Sequence, residues 1–423
     1  MRSRINPSKA VIEVTHARNP EPVEKTANAK QTNRVAWGVI IVAYLGGLAI
    51  ACTQNKVPPC MDAITEFFSI DMVTAGWLMS VFAVMGMVSA IPAAIILDRL
   101  GSKASGILSL AFAMVGSIIG ALSGNAVILM VSRVIEGMGA GIIAIIAPAL
   151  ISMWFPESKR GLPMGVWTSW MPTGQSVMFL IGGGISASVG WQGVWWFTVA
   201  LCLAVGVLYF FKVKEPPAEL NYAPREEERI SLKEGLACKP MWLVCLAGIL
   251  FNIGSFSFCT WIATYWSDVF GFDLLTANTW VSVVYMIEIA MCFLAGFVLN
   301  RVKSVKIAGA VGFGFYAVLL FASFSLDNSM FLIPFVVAWA VGEGLTAAGI
   351  WTLSPQTALS PKYIGLAAGV LSVGLNIGIL AGPPLSGALI EAFGWHATAM
   401  ILACVEVVAM LLVLSVKEIS KPS

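Results

Sequence analysis

Charged side chains are scarce in this chain, at 11% of 423 residues, against about 25% in soluble globular domains. Histidine is scarcer still, because only His16 and His396 occur and both lie outside the long apolar runs. The eight cysteines show no metal-type spacing, and no P-loop is present. These absences argue against a soluble enzyme, an enzyme acting within a membrane, a metal site and ATP hydrolysis, and they predict neither a cofactor nor a nucleic-acid partner.

Apolar residues, in contrast, make up 58% of the chain and gather in long runs. A helix needs about 20 apolar residues to cross bilayer hydrocarbon, where its backbone polar groups must be satisfied internally. The sequence therefore predicts an all-α membrane protein with twelve transmembrane helices. The predicted spans are 35–58, 73–97, 104–124, 126–154, 162–188, 194–212, 241–266, 276–299, 307–325, 330–355, 366–391 and 397–416.

Basic residues mark one side of the predicted membrane. Of the 25 Lys and Arg residues, only Lys56 and Arg133 lie within or at the end of an apolar run. The others fall in the two tails and in every second loop, and such an excess is typical of cytoplasmic segments. We therefore expect a multi-pass protein of the cell (inner) membrane with both termini in the cytoplasm. The predicted parts are a tail (1–34), a six-helix bundle (35–212), a cytoplasmic linker (213–240), a second six-helix bundle (241–416) and a tail (417–423).

An internal repeat relates the two bundles. Residues 161–191 shifted by 204 positions fall on 365–395 without a gap. The shift superimposes five glycines and one tryptophan of each half: Gly161, Gly165, Gly174, Gly183, Gly190 and Trp191 on Gly365, Gly369, Gly378, Gly387, Gly394 and Trp395. Such self-similarity predicts two pseudo-symmetric halves, an arrangement found in transporters that bind solute between their halves.

Two motifs carry a resemblance to a known family. They comprise Ala94, Asp98, Arg99, Gly101 and Lys103 around the first inner loop, and Arg133, Gly137 and Gly139 in the fourth run. Through these motifs the chain resembles a transporter of the major facilitator superfamily, and the resemblance extends over nearly its whole length. The segments QNKVPP (54–59), WFPESKRGLPMG (154–165) and GWQGVWWF (190–197) resemble its cyanate/nitrate permease-type group, which includes cyanate permease and nitroimidazole transporters. The resemblance implies a major facilitator fold, a monomer, alternating access and gating by Asp98, Arg99 and Lys103.

Charged residues inside the runs are the main candidates for a site, because burial of each costs about 2.5–3.5 kcal/mol even on lenient scales. Lys56 follows Gln54 and Asn55 and precedes two prolines. These three side chains form a local anion-binding face, unless the lysine extends to the outer headgroups.

The remaining buried charges allow two roles each. Arg133 and Glu136 share one helix face and form either an internal salt bridge or a gating or proton-coupling pair. Glu288 and Glu343 have no cationic neighbour at helical spacing, so each is a proton carrier or a neutral packing acid. Glu406, in the last run, is expected at the periphery.

Aromatic residues complete the predicted site. Five of them are candidates to cover the apolar part of a solute: Trp167, Trp170, Trp261, Tyr265 and Trp351. We therefore expect a secondary active transporter of a small organic or inorganic anion, coupled to protons or another ion and surrounded by lipid. Two alternatives remain open: a proton-coupled efflux pump for amphipathic drugs, favoured by the acids and aromatics, and a membrane sensor or assembly subunit that moves no solute.

Overall fold

A computed structural model describes residues 22–88, 90–216, 232–299, 301–302, 304–360 and 363–417. Most of the predicted linker, and parts of both predicted tails, lie outside these ranges. The described chain is helical and contains no strand. Its α-helices are α1 (Pro22–Gln54), α2 (Met61–Phe68), α3 (Met72–Val88), α4 (Ala90–Ala121), α5 (Ala126–Trp154), α6 (Gly161–Thr168), α7 (Trp170–Val189), α8 (Trp191–Lys212), α9 (Leu232–Leu236), α10 (Lys239–Phe270), α11 (Leu274–Leu299), α12 (Val305–Ser323), α13 (Leu332–Leu353) and α14 (Ile364–Ser415).

Two of these helices each contain a reversal of the chain. The 52 residues of α14 would extend about 78 Å as one helix, more than twice the thickness of bilayer hydrocarbon. Gly394 divides α14 with a φ of 78° and a ψ of 175°. Gly101 divides α4 in the same way, with a φ of 75° and a ψ of 168°. Side chains with a Cβ rarely adopt this backbone conformation, so glycine permits both reversals.

Twelve membrane crossings follow from these divisions. Nine segments of the described chain are long and apolar enough to span a membrane on their own. Three further crossings complete the twelve. Helix α14 forms two crossings, α3 forms one together with the first part of α4, and α6 forms one together with α7. The fold-class prediction of an all-α membrane protein with twelve transmembrane helices in two related six-helix bundles is confirmed.

The backbone also carries the repeat that the sequence predicts. Gly190 and Gly394 are equivalent under the shift of 204 residues. Both adopt the same unusual conformation, with φ of 81° and 78°, and both begin the last crossing of their half. The two halves therefore reverse the chain at matched positions.

Contacts within each half outnumber those between the halves. The N-terminal half packs α1 against α5, α7 and α8, and the C-terminal half packs α10 and α12 against α14. Between the halves, α3 lies along α14 and α7 lies along α11. Any site between the halves is therefore bordered by α3 and α7 on one side and by α11 and α14 on the other.

Candidate functional site

The end of α1 creates a local need for hydrogen-bond donors. Helix α1 stops at Gln54, and Pro58 has no N–H to donate to the Gln54 carbonyl. Arg133 of α5 supplies the missing donors: its two terminal nitrogens donate to the carbonyls of Thr53 and Gln54, each at 2.6 Å. The Arg133 Nε donates to the carbonyl of Leu78 on α3 at 3.1 Å. One guanidinium thus joins α1, α3 and α5.

Lys56 lies in the non-helical turn that follows α1, and its side chain is fully buried. Its ammonium donates to Glu136 Oε1 at 2.7 Å, Ser117 Oγ at 2.9 Å and Thr198 Oγ1 at 3.1 Å. The alternative, in which this lysine extends to the outer headgroups, is therefore wrong. The ammonium is also not available to bind a solute directly, because its N–H groups donate to three protein oxygens.

Glu136 holds both cations at once. Its second oxygen accepts from Arg133 at 2.6 Å, the salt bridge that the sequence allowed. All three side chains have no exposed area. We call Lys56, Arg133 and Glu136 the cationic trio, because two cations and one carboxylate leave one formal positive charge inside the N-terminal half.

The C-terminal half contains the opposite charge. Glu343 of α13 accepts hydrogen bonds from Ser255 Oγ and from Trp339 Nε1, the latter at 2.7 Å. Glu288 of α11 lies against Gly344, the residue that follows Glu343, and interacts electrostatically with Glu343. The Oε2 atom of Glu288 is buried without a hydrogen-bond partner.

Glu406 is the third acid of this half. Glu406 is 0% exposed and lies against Gly254 of α10, so it packs inside the C-terminal half, and its expected position outside the central cavity stays a prediction. We call Glu288, Glu343 and Glu406 the acidic trio. The contacts described for these three residues include no Lys or Arg.

Between the two trios, polar side chains from both halves meet. Asn55 adjoins Lys56 in sequence, and its amide donates to Met171 Sδ at 3.5 Å. Across the interface, the Cys259 thiol of α10 donates to Asn55 Oδ1 at 3.8 Å. The amide of Gln175 on α7 donates to the same sulfur at 3.5 Å. We call Asn55, Met171, Gln175 and Cys259 the central layer; these contacts, weak and mostly to sulfur, are easily exchanged for contacts with a ligand.

One end of the interface between the halves is closed, and the charge distribution predicts that this end is the outer one. Helix α3 approaches α14 so closely that a Cβ on Gly76 would lie 2.7 Å from backbone atoms of Pro383. Glu391 of α14 accepts the N–H of Met72, the first residue of α3, at 2.7 Å. A carboxylate is favourable there because the N-terminus of a helix carries partial positive charge. Toward the other end, a Cβ on Gly365 or Gly369 of α14 would meet no atom within 4 Å.

A cavity of about 340 Å³ lies at this closed end. Four acids line it, two from each half: Asp62, Asp71, Asp268 and Glu391. Hydrogen bonds from the side chain and then the backbone N–H of Thr74 lower the pKa of Asp71, so this carboxylate stays ionised near neutral pH. These acids were not among the predicted site residues. Their position in predicted outer segments that lack Lys and Arg could have indicated an acidic site.

The predicted aromatic residues do not line one cavity. Trp167 and Trp170 stack at 5.1 Å and pack on Gly47 of α1. Trp261 donates to the Pro383 carbonyl at 3.1 Å and borders the outer cavity. The Tyr265 hydroxyl donates to the Leu326 carbonyl at 2.6 Å, and Trp351 is 46% exposed. Of these five residues, Trp261 therefore borders the interface between the halves, through the outer cavity, whereas Trp167 and Trp170 pack within the N-terminal half.

The predicted gating residues Asp98, Arg99 and Lys103 belong to the opposite end, which the charge distribution predicts to be the inner one. The Asp98 side chain is outside the described part of the chain, Arg99 is exposed, and Lys103 lies 4.4 Å over the ring of Phe210. A residue that the sequence analysis did not single out has the observed contact there: Glu215, after α8, accepts the N–H of Ser102 at 2.9 Å. This carboxylate caps the helix that follows the reversal at Gly101.

Comparison with known proteins places this geometry in context. The family model described as Major Facilitator Superfamily matches residues 37–360 and 356–423. The chain is 25% identical over 391 residues to the hexuronate transporter of Bacillus subtilis, covering 86% of this chain and 90% of that protein. It is 25% identical over 387 residues to the probable sulfoacetate transporter SauU of Cupriavidus necator, covering 86% and 89%.

A solved structure has the same fold. A bacterial homologue of the human lysosomal transporter Spinster, in an inward-facing and occupied conformation, superimposes with a TM-score of 0.75 at 16% identity. The match covers 89% of this chain and 95% of that one.

Proposed function

Because this chain belongs to the Major Facilitator Superfamily, we propose that it is a secondary active transporter that carries a small organic anion across the cell membrane, coupled to protons, by alternating access. Both termini lie in the cytoplasm in this proposal. Its relatives include a hexuronate transporter and a probable sulfoacetate transporter. These two solutes share a carboxylate and small size, and they define the class of anion that we propose here. The finer likeness to cyanate and nitrate permeases stays a prediction.

One observation carries the proposal: the buried charges are segregated by half. The N-terminal half holds the cationic trio with one excess positive charge. The C-terminal half holds three acids whose described contacts include no cation. An anion in the central layer is attracted by the first group, while proton binding removes the cost of burying the second.

The solute binds in the central layer, between the cationic trio and the acidic trio. Asn55 joins the cationic trio through Lys56 and reaches the C-terminal half through Cys259. A carboxylate that accepts from the amides of Asn55 and Gln175 replaces weak contacts to sulfur with charge-assisted hydrogen bonds. Trp170, beside this layer on α7, covers the apolar part of the solute. In this proposal Lys56 acts through its charge and through the position of Asn55, without direct contact.

Glu343 is the proton carrier in this proposal, with Glu288 as its neighbour. Glu343 accepts hydrogen bonds from Ser255 on α10 and from Trp339 on its own helix, α13. Ser255 lies one helical turn from Cys259 of the central layer on α10, so movement of the two halves during alternating access changes the exposure of Glu343 to the two membrane faces. Proton binding at one membrane face and release at the other then follow from that movement.

The test is uptake of labelled glucuronate and sulfoacetate into proteoliposomes with an imposed pH gradient. We expect uptake that an inward proton gradient stimulates and a protonophore abolishes. Glu343→Gln is expected to remove gradient-driven uptake while retaining solute exchange without a gradient. Glu66→Gln, at an exposed glutamate of α2, is the control for the substitution itself. Uptake that ignores the gradient would overturn proton coupling, and transport of lipophilic cations instead would favour the drug-efflux alternative.

A further inference from the structure

We propose that Glu406 is a third proton-binding group of the C-terminal half, and that its protonation changes with that of Glu343. This inference rests on the proposed function for its role in transport. The protonation change itself is measurable without any solute.

The surroundings of Glu406 provide no compensation for a charge. The side chain is fully buried on the last crossing, and neither carboxyl oxygen has a hydrogen-bond partner. Helix α10 presents Gly254 to it, where an added Cβ would lie 2.8 Å from Glu406 Oε1. A buried, unpartnered carboxylate costs several kcal/mol on any scale, so an apolar side chain would serve packing alone better.

The titratable groups that face Glu406 are few. Helix α12 presents Tyr316, which interacts electrostatically with both Glu406 and Glu343. Helix α13 presents Glu343 itself. Helix α10 presents Gly254 and Ser255, and among the described residues no Lys, Arg or His interacts with this carboxyl.

A short path links the two acids. Gly254 contacts Glu406, and the next residue, Ser255, donates to Glu343. Because like charges in a low dielectric repel strongly, ionisation of one carboxyl opposes ionisation of the other. Ionisation of Glu343 therefore makes Glu406 hold its own proton more strongly, and protonation of Glu343 makes Glu406 easier to ionise. Movement of α10 changes both environments together.

The experiment is infrared difference spectroscopy of the full-length protein in lipid between alkaline and acidic pH. We expect a carboxylic acid C=O stretching signal from buried acids that loses one component in Glu406→Gln. Glu66→Gln leaves that signal unchanged, because Glu66 is exposed. If Glu406→Gln does not fold, Glu406→Asp is used, and the component is expected to shift in frequency.

A difference spectrum that Glu406 substitution leaves unchanged would overturn the proposal, since the group would then keep one protonation state throughout. Transport measurements separate this result from the proposed function. We expect Glu406→Gln to lower gradient-driven uptake about tenfold while exchange without a gradient stays within about twofold. Equal loss of both, with a lowered Tm, indicates a structural role and also overturns the proposal. A wild-type protein that shows the infrared component but no proton-coupled uptake refutes the proposed function alone.

Discussion

The excess positive charge of the cationic trio can be removed and restored without touching the central layer. Lys56→Gln leaves Arg133 and Glu136 as a neutral pair, so the trio loses its net charge. Adding Glu136→Gln leaves Arg133 alone and returns one positive charge. Arg133 keeps three backbone carbonyl acceptors in that double variant. Glu136→Gln by itself raises the excess to two.

The expected size of the effect follows from Coulomb's law. With an effective dielectric constant of about 20, one charge about 8 Å from a bound anion contributes about 2 kcal/mol. This free energy corresponds to about a 30-fold change in affinity. We therefore expect Lys56→Gln to weaken anion binding about 30-fold, the double variant to recover most of that loss, and Glu136→Gln to bind at least as tightly as the wild type.

Stability has to be separated from affinity in this series. Removing one partner of a buried ion pair costs about 3–5 kcal/mol, although Glu136 keeps Arg133 and Ser117 when Lys56 is replaced. The assay is the rise in Tm of the detergent-purified protein with added glucuronate or sulfoacetate, because a ligand of the folded state stabilises it by mass action. Each variant is compared with its own Tm without ligand. Lys212→Gln, at an exposed lysine of α8, is the control for general loss of positive charge.

Recovery in the double variant decides the interpretation. If Lys56→Gln and Lys56→Gln/Glu136→Gln lose affinity equally, the lysine itself is required and the field of the trio is not the cause. If neither variant loses affinity, the trio plays no part in anion binding.

The closed outer end yields two more predictions. Glu391→Gln weakens the contact with the Met72 N–H, so we expect the outer end to open more often. The measurement is the rate at which a thiol reagent modifies a cysteine placed at Thr264, beside the outer cavity, and we expect this rate to rise. An unchanged rate would show that this contact does not hold the end closed. Gly76→Ala introduces a Cβ 2.7 Å from the backbone of Pro383, so we expect loss of outer closure and of transport, whereas Gly38→Ala, with no atom within 4 Å, is expected to retain both.

The backbone of this protein was largely predictable because apolar length and the repeat are local properties. The match of Gly190 and Gly394 needs only the sequence shift, and both adopt the same conformation. The spans were also readable, because a membrane-crossing helix satisfies its own backbone. The predicted first span extends to residue 58, whereas α1 ends at Gln54, because Pro58 and Pro59 cannot continue the hydrogen-bond ladder.

The partners of the buried charges were not predictable in the same way. Lys56 pairs with Glu136, 80 residues away in the sequence, and no local pattern specifies which helix faces the lysine. The Arg133–Glu136 pair was accessible because its spacing is three residues on one helix. The burial of Glu406 likewise depends on how α10 and α12 pack around α14, which the last apolar run does not encode.

The repeat and the charge segregation together explain why two similar halves do different work. Helix α5 is the fourth crossing of its half and α13 is the fourth crossing of the other half. The first carries Arg133 and Glu136, with Lys56 in reach, and the second carries Glu343 beside Ser255. Equivalent backbones therefore place basic side chains on one side of the central layer and acidic side chains on the other. In the proposed mechanism the fold supplies the symmetric movement, while these few side chains determine which half attracts the anion and which half takes up the proton.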